Sequence, residues 1–311
     1  MVCDPVSGEA FWKSEALPRV APYGSRVIEL PETFLQMPGW WTQGQAWLES
    51  LPQAVDAQCR RWNLAIDGPV AHGSNAIVVP VTRDGMELAL RMSLPGDEVT
   101  KQVRALKWWD GRGMVLLLDD DAEAGAMLLE RLSTPLTTRP IDEAIAVLGQ
   151  MMRRLAVPGP DDAPSTADIV TTRSAELEPQ WERLGRPFDV AILREALDVA
   201  PTETTSTAAV NGDFHSGQVL AGHREPWLTV DPVLYRGDIE FDLGRVLWWD
   251  LDKMTEIVPY FDLAVREAGL DRDRARDWVI WRTVDYWLWG LNSGLTEDPV
   301  RCARLVNALC R

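Results

Sequence analysis

Two short apolar segments bearing acidic residues constrain this chain more than any other feature. Residues 210–220 read VNGDFHSGQVL and residues 227–232 read WLTVDP. Asp213 is followed five positions later by Gln218, and Asp231 ends the second segment. The intervening GHREP sequence favours a turn, because it combines Gly and Pro between two apolar runs. The pattern predicts a β-hairpin that returns Asp231 to the neighbourhood of Asp213.

Two carboxylates and one amide in this order suit phosphoryl transfer, whose loose transition state needs an aligned hydroxyl and cations that neutralise phosphate charge. Asp213 is predicted to orient the acceptor hydroxyl and to accept its proton late in the reaction. An ordinary Asp pKa of about 3.9 suffices for that role. Gln218 and Asp231 are predicted ligands of Mg²⁺, which prefers hard oxygen donors. Gly-Asp and Asp-Pro pairs are ordinary turn sequences when taken singly, but their order and spacing here favour the catalytic interpretation.

Further motifs between residues 62 and 249 resemble those of a known family. They read HGSNA at 72–76, WDGRG at 109–113, LLERL at 128–132 and GDIEFDLG at 237–244. With the catalytic segment, they make the chain resemble the aminoglycoside phosphotransferase superfamily, and most closely its aminoglycoside and hydroxyurea resistance kinase branch. The resemblance implies an α+β, protein-kinase-like fold with two lobes. It also implies ATP-dependent phosphorylation of a hydroxyl on a small molecule, often an antibiotic.

Several positions depart from the pattern of that family. The lysine that reaches the α- and β-phosphates is replaced by Arg91, whose planar fork can hold phosphate oxygens in a bidentate way. The expected acidic partner falls on Gln102, and Glu98, one helical turn earlier, is the predicted substitute. The catalytic loop has Asn211 in place of the usual His and Gln218 in place of the usual Asn.

The nucleotide is expected to lie against two backbone segments. The turn that contains Ser74 and Asn75 would cover the phosphates with backbone N–H groups, with a plain hairpin turn as the alternative. Glu130 and Leu132 lie in the predicted hinge between the lobes, where backbone groups would contact the base. Because such contacts leave no side-chain signature, both ATP and GTP remain open as phosphate donors.

Acidic residues of the C-terminal half supply the candidate substrate contacts. By resemblance, Asp242 braces the catalytic loop, and Asp238 is predicted to cap the helix that follows it. Glu240 faces either solvent or substrate. Asp250 follows a tryptophan pair, and Asp285 lies among tryptophans at helical spacing, where core packing is the default role for the rings. If these tryptophans border the cleft, they would form a pocket for a polyol or a cation.

Composition limits the partners of the protein. The formal net charge of −16 argues against a nucleic-acid partner and suits a cationic substrate. Four scattered Cys and three His indicate neither a zinc site nor a disulfide framework. The chain lacks a basic leader and any apolar run of roughly 20 residues, so we expect a soluble, cytoplasmic protein without a membrane partner. Monomer and homodimer both remain open.

The order of patterns predicts three parts. Residues 1–61 form an N-terminal extension, with a helix near its end, that braces the small lobe. Residues 62–134 form the small nucleotide-binding lobe, and residues 135–311 form a large, mainly helical lobe with the catalytic hairpin inserted. Within the small lobe the predicted strands are 76–82, 86–92, 114–118 and 126–132.

The sequence therefore predicts a kinase that uses Mg²⁺ and ATP or GTP to phosphorylate an antibiotic-like acceptor. Aminocyclitols, cyclic peptides and nucleoside antibiotics are the candidate acceptor classes. A metabolic sugar kinase is one alternative, because the same fold serves many substrates. A nucleotide-binding pseudokinase that acts as a sensor is another; the departures at Arg91, Gln102, Asn211 and Gln218 favour it, whereas the two catalytic carboxylates argue against it.

Overall fold

The computed structural model describes residues 28–36, 44–204 and 206–310. The chain divides into two compact units: Met1–Ser133 with Ala221–Leu228, and Thr134–Leu220 with Thr229–Arg311. The remainder of the predicted N-terminal extension lies outside the described residues. In the described part of the chain, no helix combines the length and apolarity needed to cross a bilayer.

The first unit is built on an antiparallel sheet with the strand order β1-β3-β4-β6-β5, in which β2 also pairs with β3. Among the described residues of this unit, three helices accompany the sheet. The bounds are α1 Glu32–Leu35, α2 Gln45–Trp62, β1 Ala65–Ile66, β2 Ala71–His72, β3 Ala76–Arg83, β4 Met86–Ser93, α3 Asp97–Trp109, β5 Leu117–Asp121 and β6 Ala126–Glu130.

The hairpin of β3 and β4 follows from its turn residues. Asp84 and Gly85 connect the strands and have φ angles of 53° and 78°. Two central residues with positive φ give the turn a twist that matches the strands, and Asp-Gly favours this conformation. Helix α2 packs its apolar face, which includes Leu51 and Val55, into the same hydrophobic cluster as Leu90 of the sheet. The predicted helix and hairpin are both present.

The strand predicted at 114–118 is placed wrongly. Met114 and Val115 are buried outside any strand, and β5 begins at Leu117 and continues into three acidic residues. The prediction followed apolarity, which marks burial and does not distinguish a buried connection from a strand. The strand β5 is an edge strand, where polar residues are common.

The chain from residue 134 onward is mainly helical and carries two small β-ladders. The strands β7 and β10 pair in an antiparallel manner, and so do β8 and β9. The bounds are α4 Ile141–Leu155, α5 Thr166–Arg183, α6 Val190–Asp198, β7 Ala208–Asn211, β8 Val219–Ala221, β9 Trp227–Thr229, β10 Leu234–Gly237, α7 Leu243–Trp249, α8 Ile257–Ala268, α9 Arg272–Asn292 and α10 Glu297–Leu309.

Two helices differ in whether a side chain at their start caps them. The side chain of Ser165 caps α5 by accepting a hydrogen bond from the Asp168 backbone N–H at 3.4 Å, a role for which Ser is among the preferred residues. Asp238 makes no such cap, so its predicted capping role is wrong. Its buried carboxylate instead forms an ion pair with Arg274. A long-range charge partner therefore outweighs the local signal.

Helix α9 forms the centre of the second unit. Trp278 and Trp281 are fully buried, and their rings meet edge to face at a centroid distance of 6.5 Å. The indole N–H of Trp281 donates to the Ser174 hydroxyl at 2.8 Å. For these two rings, core packing is the correct explanation, because each buries a large apolar surface with its neighbours.

Candidate active site

The loop after β7 is anchored by the segment that precedes β10. Asn211 ends β7, and its side-chain oxygen accepts a hydrogen bond from the Val233 N–H at 3.0 Å. The Gly212 N–H donates to the Val233 carbonyl at 2.9 Å. These two bonds fix the backbone on the N-terminal side of Asp213. The amide at 211, one of the departures from the family pattern, thus has a structural role.

The carboxylate of Asp213 receives a different donor at each oxygen. Nε of Arg245 donates to Oδ1 at 2.9 Å, and Nε2 of Gln218 donates to Oδ2 at 3.1 Å. Asp213 is about one-third exposed, whereas the Arg245 side chain is 9% exposed. The carboxylate is thus held from the protein side and retains a face for another molecule.

The residues on either side of Asp231 are hydrogen-bonded to the segment that contains Asp213. The preceding residue, Val230, donates its N–H to the Gln218 carbonyl at 2.8 Å, and Val233 binds the loop before Asp213. Asp231 has a φ of 50°, in the left-handed region that Asp tolerates better than most residues. The hairpin therefore brings Asp213, Gln218 and Asp231 to the same part of the second unit.

The donor set at this place fits a magnesium ion. Oε1 of Gln218 is buried and has no hydrogen-bond partner among the described residues. A buried acceptor without a partner is costly unless another group satisfies it. The amide oxygen and the Asp231 carboxylate are hard donors of the kind that Mg²⁺ takes.

Asp242 lies beneath the same loop. It is 4% exposed, and burial raises the pKa of its carboxyl well above the usual value, whereas Arg282 opposes the increase. The backbone of Asn211 also opposes the increase in the pKa of this carboxyl. Arg282 donates to the Gly212 carbonyl at 3.4 Å and lies 3.9 Å from the ring centroid of Phe241. Asp242 and Arg282 together support the backbone on both sides of Gly212.

In the first unit, Arg91 is brought to the turn that contains Ser74 and Asn75. Its guanidinium donates to the Ser93 hydroxyl at 3.1 Å and to the Asn75 side-chain oxygen at 3.5 Å. The residue is 3% exposed, so it lies within the sheet with its head group at the turn. Three residues predicted to bind nucleotide therefore lie close together, and Glu98 forms a 2.7 Å ion pair with Lys101.

Comparison with known proteins identifies the family. The sequence model of the aminoglycoside/hydroxyurea antibiotic resistance kinases matches residues 61–294. A streptomycin 6-kinase of Streptomyces glaucescens is 35% identical over 92% of this chain and 98% of its own length. The chain belongs to the aminoglycoside/hydroxyurea antibiotic resistance kinase family. It is a phosphotransferase with an alcohol group as acceptor, as predicted from the catalytic segment.

Other relatives and solved structures agree. A streptomycin 6-kinase of Streptomyces griseus is 37% identical over 86% of this chain and 92% of its own length, and a hydroxyurea phosphotransferase of Kitasatospora aureofaciens is 34% identical over 88% and 84%. A thermostable mutant of aminoglycoside phosphotransferase APH(4)-Ia, in ternary complex with ADP and hygromycin B, matches with a TM-score of 0.58 at 16% identity, over 82% of this chain and 98% of that one. The last comparison shows the fold alone, and it confirms the predicted protein-kinase-like fold.

Arg245 is a residue of this kinase that sequence reasoning missed. It lies on α7, with Trp248 and Trp249 three and four positions later, and its guanidinium carbon is 4.8 and 5.0 Å from their ring centroids. The ring centroid of Tyr286, on α9, lies 6.0 Å from the same guanidinium carbon. A signal was present, because Arg followed by aromatic residues at helical spacing directly after the 237–244 motif predicts a stacked cation.

Two residues that were predicted to contact substrate have hydrogen-bond or ion-pair partners within the protein. Asp250 is 3% exposed; it accepts a hydrogen bond from the Ser216 hydroxyl and pairs with Lys253 at 2.8 Å. The carboxylate of Asp250 thus has partners within the fold, and its contact with substrate stays a prediction. Asp285 pairs with Arg173 at 2.8 Å and keeps 14% of its side chain exposed. Glu240 is half-buried, and burial raises the pKa of its carboxyl.

Glu130, predicted to lie in the hinge that contacts the base, makes hydrogen bonds within the first unit, and its contact with nucleotide stays a prediction. Its backbone N–H donates to the Leu116 carbonyl at 3.0 Å, and its carboxylate binds the Leu116 N–H and Arg224, both at 2.7 Å. The backbone N–H of Glu130 is thus already hydrogen-bonded within the first unit and is not available to a nucleotide base. The sequence pattern could not reveal this, because the partner Arg224 lies 94 positions away. Leu132 lies beyond the end of β6, and Gln102 is half-buried on α3.

Proposed function

We propose that this kinase transfers the γ-phosphate of ATP to a hydroxyl group of an aminocyclitol antibiotic. The observation that carries the proposal is the carboxylate of Asp213, which is held at both oxygens by Gln218 and Arg245 in a chain of this family. Similarity to streptomycin 6-kinases from two organisms supports an aminocyclitol acceptor. The nucleotide complex of a protein with the same fold supports ATP, and GTP is the alternative donor.

Hydroxyurea is a second candidate acceptor, because a hydroxyurea phosphotransferase is about as similar to this chain as the streptomycin kinases are. It is a small neutral molecule, whereas an aminocyclitol antibiotic presents several hydroxyls and cationic groups. The net charge of −16 favours the cationic acceptor through long-range attraction. Cyclic peptide and nucleoside antibiotics are the other candidate acceptors.

In this proposal Asp213 orients the acceptor hydroxyl and takes its proton as the new P–O bond forms. Its two oxygens each accept one hydrogen bond within the protein, and a carboxylate has further lone pairs for the acceptor. A fixed carboxylate selects one hydroxyl of a polyol by distance and direction. The expected gain from such base catalysis is roughly 10²- to 10⁴-fold in rate.

Gln218 and Asp231 would hold Mg²⁺, which, when bound, neutralises charge on the phosphates. The longer side chain of Gln218 still presents its oxygen, because its amide nitrogen is fixed by Asp213 and Oε1 is left unpaired. In the first unit, Arg91 and Asn75 would bind phosphate oxygens, with Ser74 in the same turn and Glu98 or Gln102 nearby on α3. Leu132, Glu240 and Asp285 are proposed as further nucleotide or acceptor contacts.

The proposal is tested by mass spectrometry of a panel of acceptors incubated with enzyme, Mg²⁺ and either ATP or GTP. The panel contains streptomycin, hygromycin B, hydroxyurea and simple hexoses. We expect one phosphoryl group on streptomycin, absent with Asp213→Ala. Transfer to a hexose alone would favour a metabolic sugar kinase, and phosphorylated hydroxyurea alone would favour the second candidate. No product on any acceptor would contradict the proposal.

A separate measurement distinguishes an enzyme from a pseudokinase. ATP should raise the melting temperature of the wild type in the presence of Mg²⁺, and this Mg²⁺ effect should be lost in Asp231→Ala, since that carboxylate would hold the ion. Asp161→Ala is the matched control, because its side chain is 98% exposed in the same unit. Equal stabilisation with and without Mg²⁺ would support the pseudokinase.

A further inference from the structure

Asp213 forms an ion pair with Arg245 of α7, a residue to which the proposed chemistry assigns no step of its own. Nε of Arg245 donates to Oδ1 of Asp213 at 2.9 Å. Asp213 would accept the proton of the substrate, so a neighbouring cation that fixes its position affects the reaction directly. The alternative explanation is a charge pair that stabilises the fold and has no separate effect on turnover.

The environment of Arg245 favours a fixed geometry. The guanidinium lies between the rings of Trp248, Trp249 and Tyr286, with 4.8 to 6.0 Å from its carbon to the ring centroids. Planar guanidinium groups stack on aromatic faces, and such contacts restrict rotation of the head group. Trp249 is itself stacked on His215 at a centroid distance of 3.8 Å. The direction of the Nε–H bond toward Asp213 is therefore set by aromatic packing.

Burial adds an electrostatic reason for the pairing. The Arg245 side chain is 9% exposed, and its Nη1 has no hydrogen-bond partner within the described ranges. A cation this buried requires a carboxylate close by, because desolvation otherwise costs several kcal/mol. Burial raises the pKa of the nearby Asp298 carboxyl, and the charge of Arg245 opposes this increase less than Tyr286 and Arg301 do. The direct ion pair of Arg245, however, is with Asp213.

Two donors on opposite oxygens leave the Asp213 carboxylate little freedom to rotate. Gln218 fixes Oδ2 of Asp213. Because Gln218 would also bind the metal ion, its position would depend on whether nucleotide is bound. Arg245 fixes Oδ1 of Asp213 whether or not a ligand is bound. We propose that Arg245 is a positioning residue that keeps the Asp213 carboxylate aimed at the acceptor hydroxyl before and during turnover. The proposal rests on the function proposed above for Asp213.

Arg245→Lys tests the geometry while the charge is retained. Lysine lacks the Nε–H and the planar group, so it cannot repeat the stacked, directed contact. We expect kcat for acceptor phosphorylation to fall by on the order of 10²-fold, the effect of misplacing a reacting group by roughly 1 Å, with an unchanged KM for nucleotide. The matched control is Arg301→Lys. Arg301 also lies over Trp248, at 5.5 Å, but its carboxylate partners are on Asp252, Asp298 and Glu297.

A double-mutant cycle with Asp213→Asn separates positioning from fold stability. If Arg245 acts through Asp213, Arg245→Lys should cause no further loss of kcat in the Asp213→Asn background, because the two effects are coupled. Independent, multiplying losses would overturn the inference, and so would wild-type kcat in Arg245→Lys. Should Arg245→Lys melt before the assay temperature, Arg245→Gln replaces it. Failure of both variants to fold would assign Arg245 to the fold alone.

The same cycle distinguishes failure of the inference from failure of the proposed function. Full activity in Asp213→Asn would reject Asp213 as the base, and the role of Arg245 would fall with it. A large loss in Asp213→Asn with full activity in Arg245→Lys would reject the positioning role and leave the proposed function intact. Product is quantified by mass spectrometry over long incubations so that the low rates of the Asp213→Asn variants are measured.

Discussion

Gly212 offers the sharpest test of how tightly the catalytic loop is packed. A Cβ atom at this position would lie 2.2 Å from Cε2 and 2.5 Å from Cδ2 of Tyr235. Ordinary contact begins at 3.4 Å, so Gly212→Ala requires either the ring or the loop to move by about 1.2 Å. The ring is held edge to face against Phe241, and the loop is held by the bond from Gly212 to Val233.

We expect the loop to take up part of this movement, because the Tyr235 ring lies on β10, which is held by its pairing with β7. Overpacking of this kind costs about 1–3 kcal/mol of unfolding free energy. A 1 Å displacement of Asp213 should lower kcat by on the order of 10²-fold. Steady-state kinetics would be measured from ADP release, and stability from urea unfolding.

A second substitution supplies the internal test of this reasoning. Tyr235→Ala removes the obstructing ring, so the double variant should recover much of the kcat that Gly212→Ala loses. Gly290→Ala in α9 is the matched control, since its new Cβ would make ordinary contacts, at 3.7 Å and longer, with Leu295 and Pro299. Wild-type kcat in Gly212→Ala, or no recovery in the double variant, would refute the steric argument.

Two further predictions concern ionisable side chains. Burial, followed by the charge of Arg245, holds the pKa of His215 well below its usual value, so the unfolded chain takes up a proton more readily than the folded protein. The free energy of unfolding should therefore fall as the pH drops below about 6.5, by up to about 1.4 kcal/mol per pH unit. Urea unfolding at several pH values should show a smaller decline in His215→Gln. Identical pH profiles for the two proteins would exclude His215 as the cause. Burial, with a smaller contribution from Asp56, raises the pKa of Cys59 to about 11, so peptide mapping after native iodoacetamide treatment at pH 8 should find this thiol unmodified. Rapid labelling of Cys59 in the folded protein would contradict this.

Local patterns predicted the parts of the fold whose cause is local. Helix α2 and the β3–β4 hairpin follow from apolar spacing and from the Asp84-Gly85 turn. The site residues Asp213, Gln218 and Asp231 could be predicted as a group because a short hairpin brings them together.

Contacts between distant positions could not be predicted from local patterns. Asp238 takes Arg274 as its partner in place of a helix cap, and Glu130 takes Arg224. The pairing of Arg245 with Asp213 spans 32 positions and depends on how α7 packs against the catalytic loop. Energies of such pairs depend on burial and on the geometry of both partners, and a sequence window contains neither.

The acidic edge strand β5 bears on how the protein behaves at high concentration. Strand edges carry unpaired backbone groups that can recruit a strand from another molecule. Here Asp119, Asp120 and Asp121 occupy the edge and form ion pairs with Arg83, Lys107 and Arg61 respectively. An incoming strand would have to strip water from these charges, at a cost of several kcal/mol per ion. The charges on β5 therefore act as a barrier to self-association along the sheet.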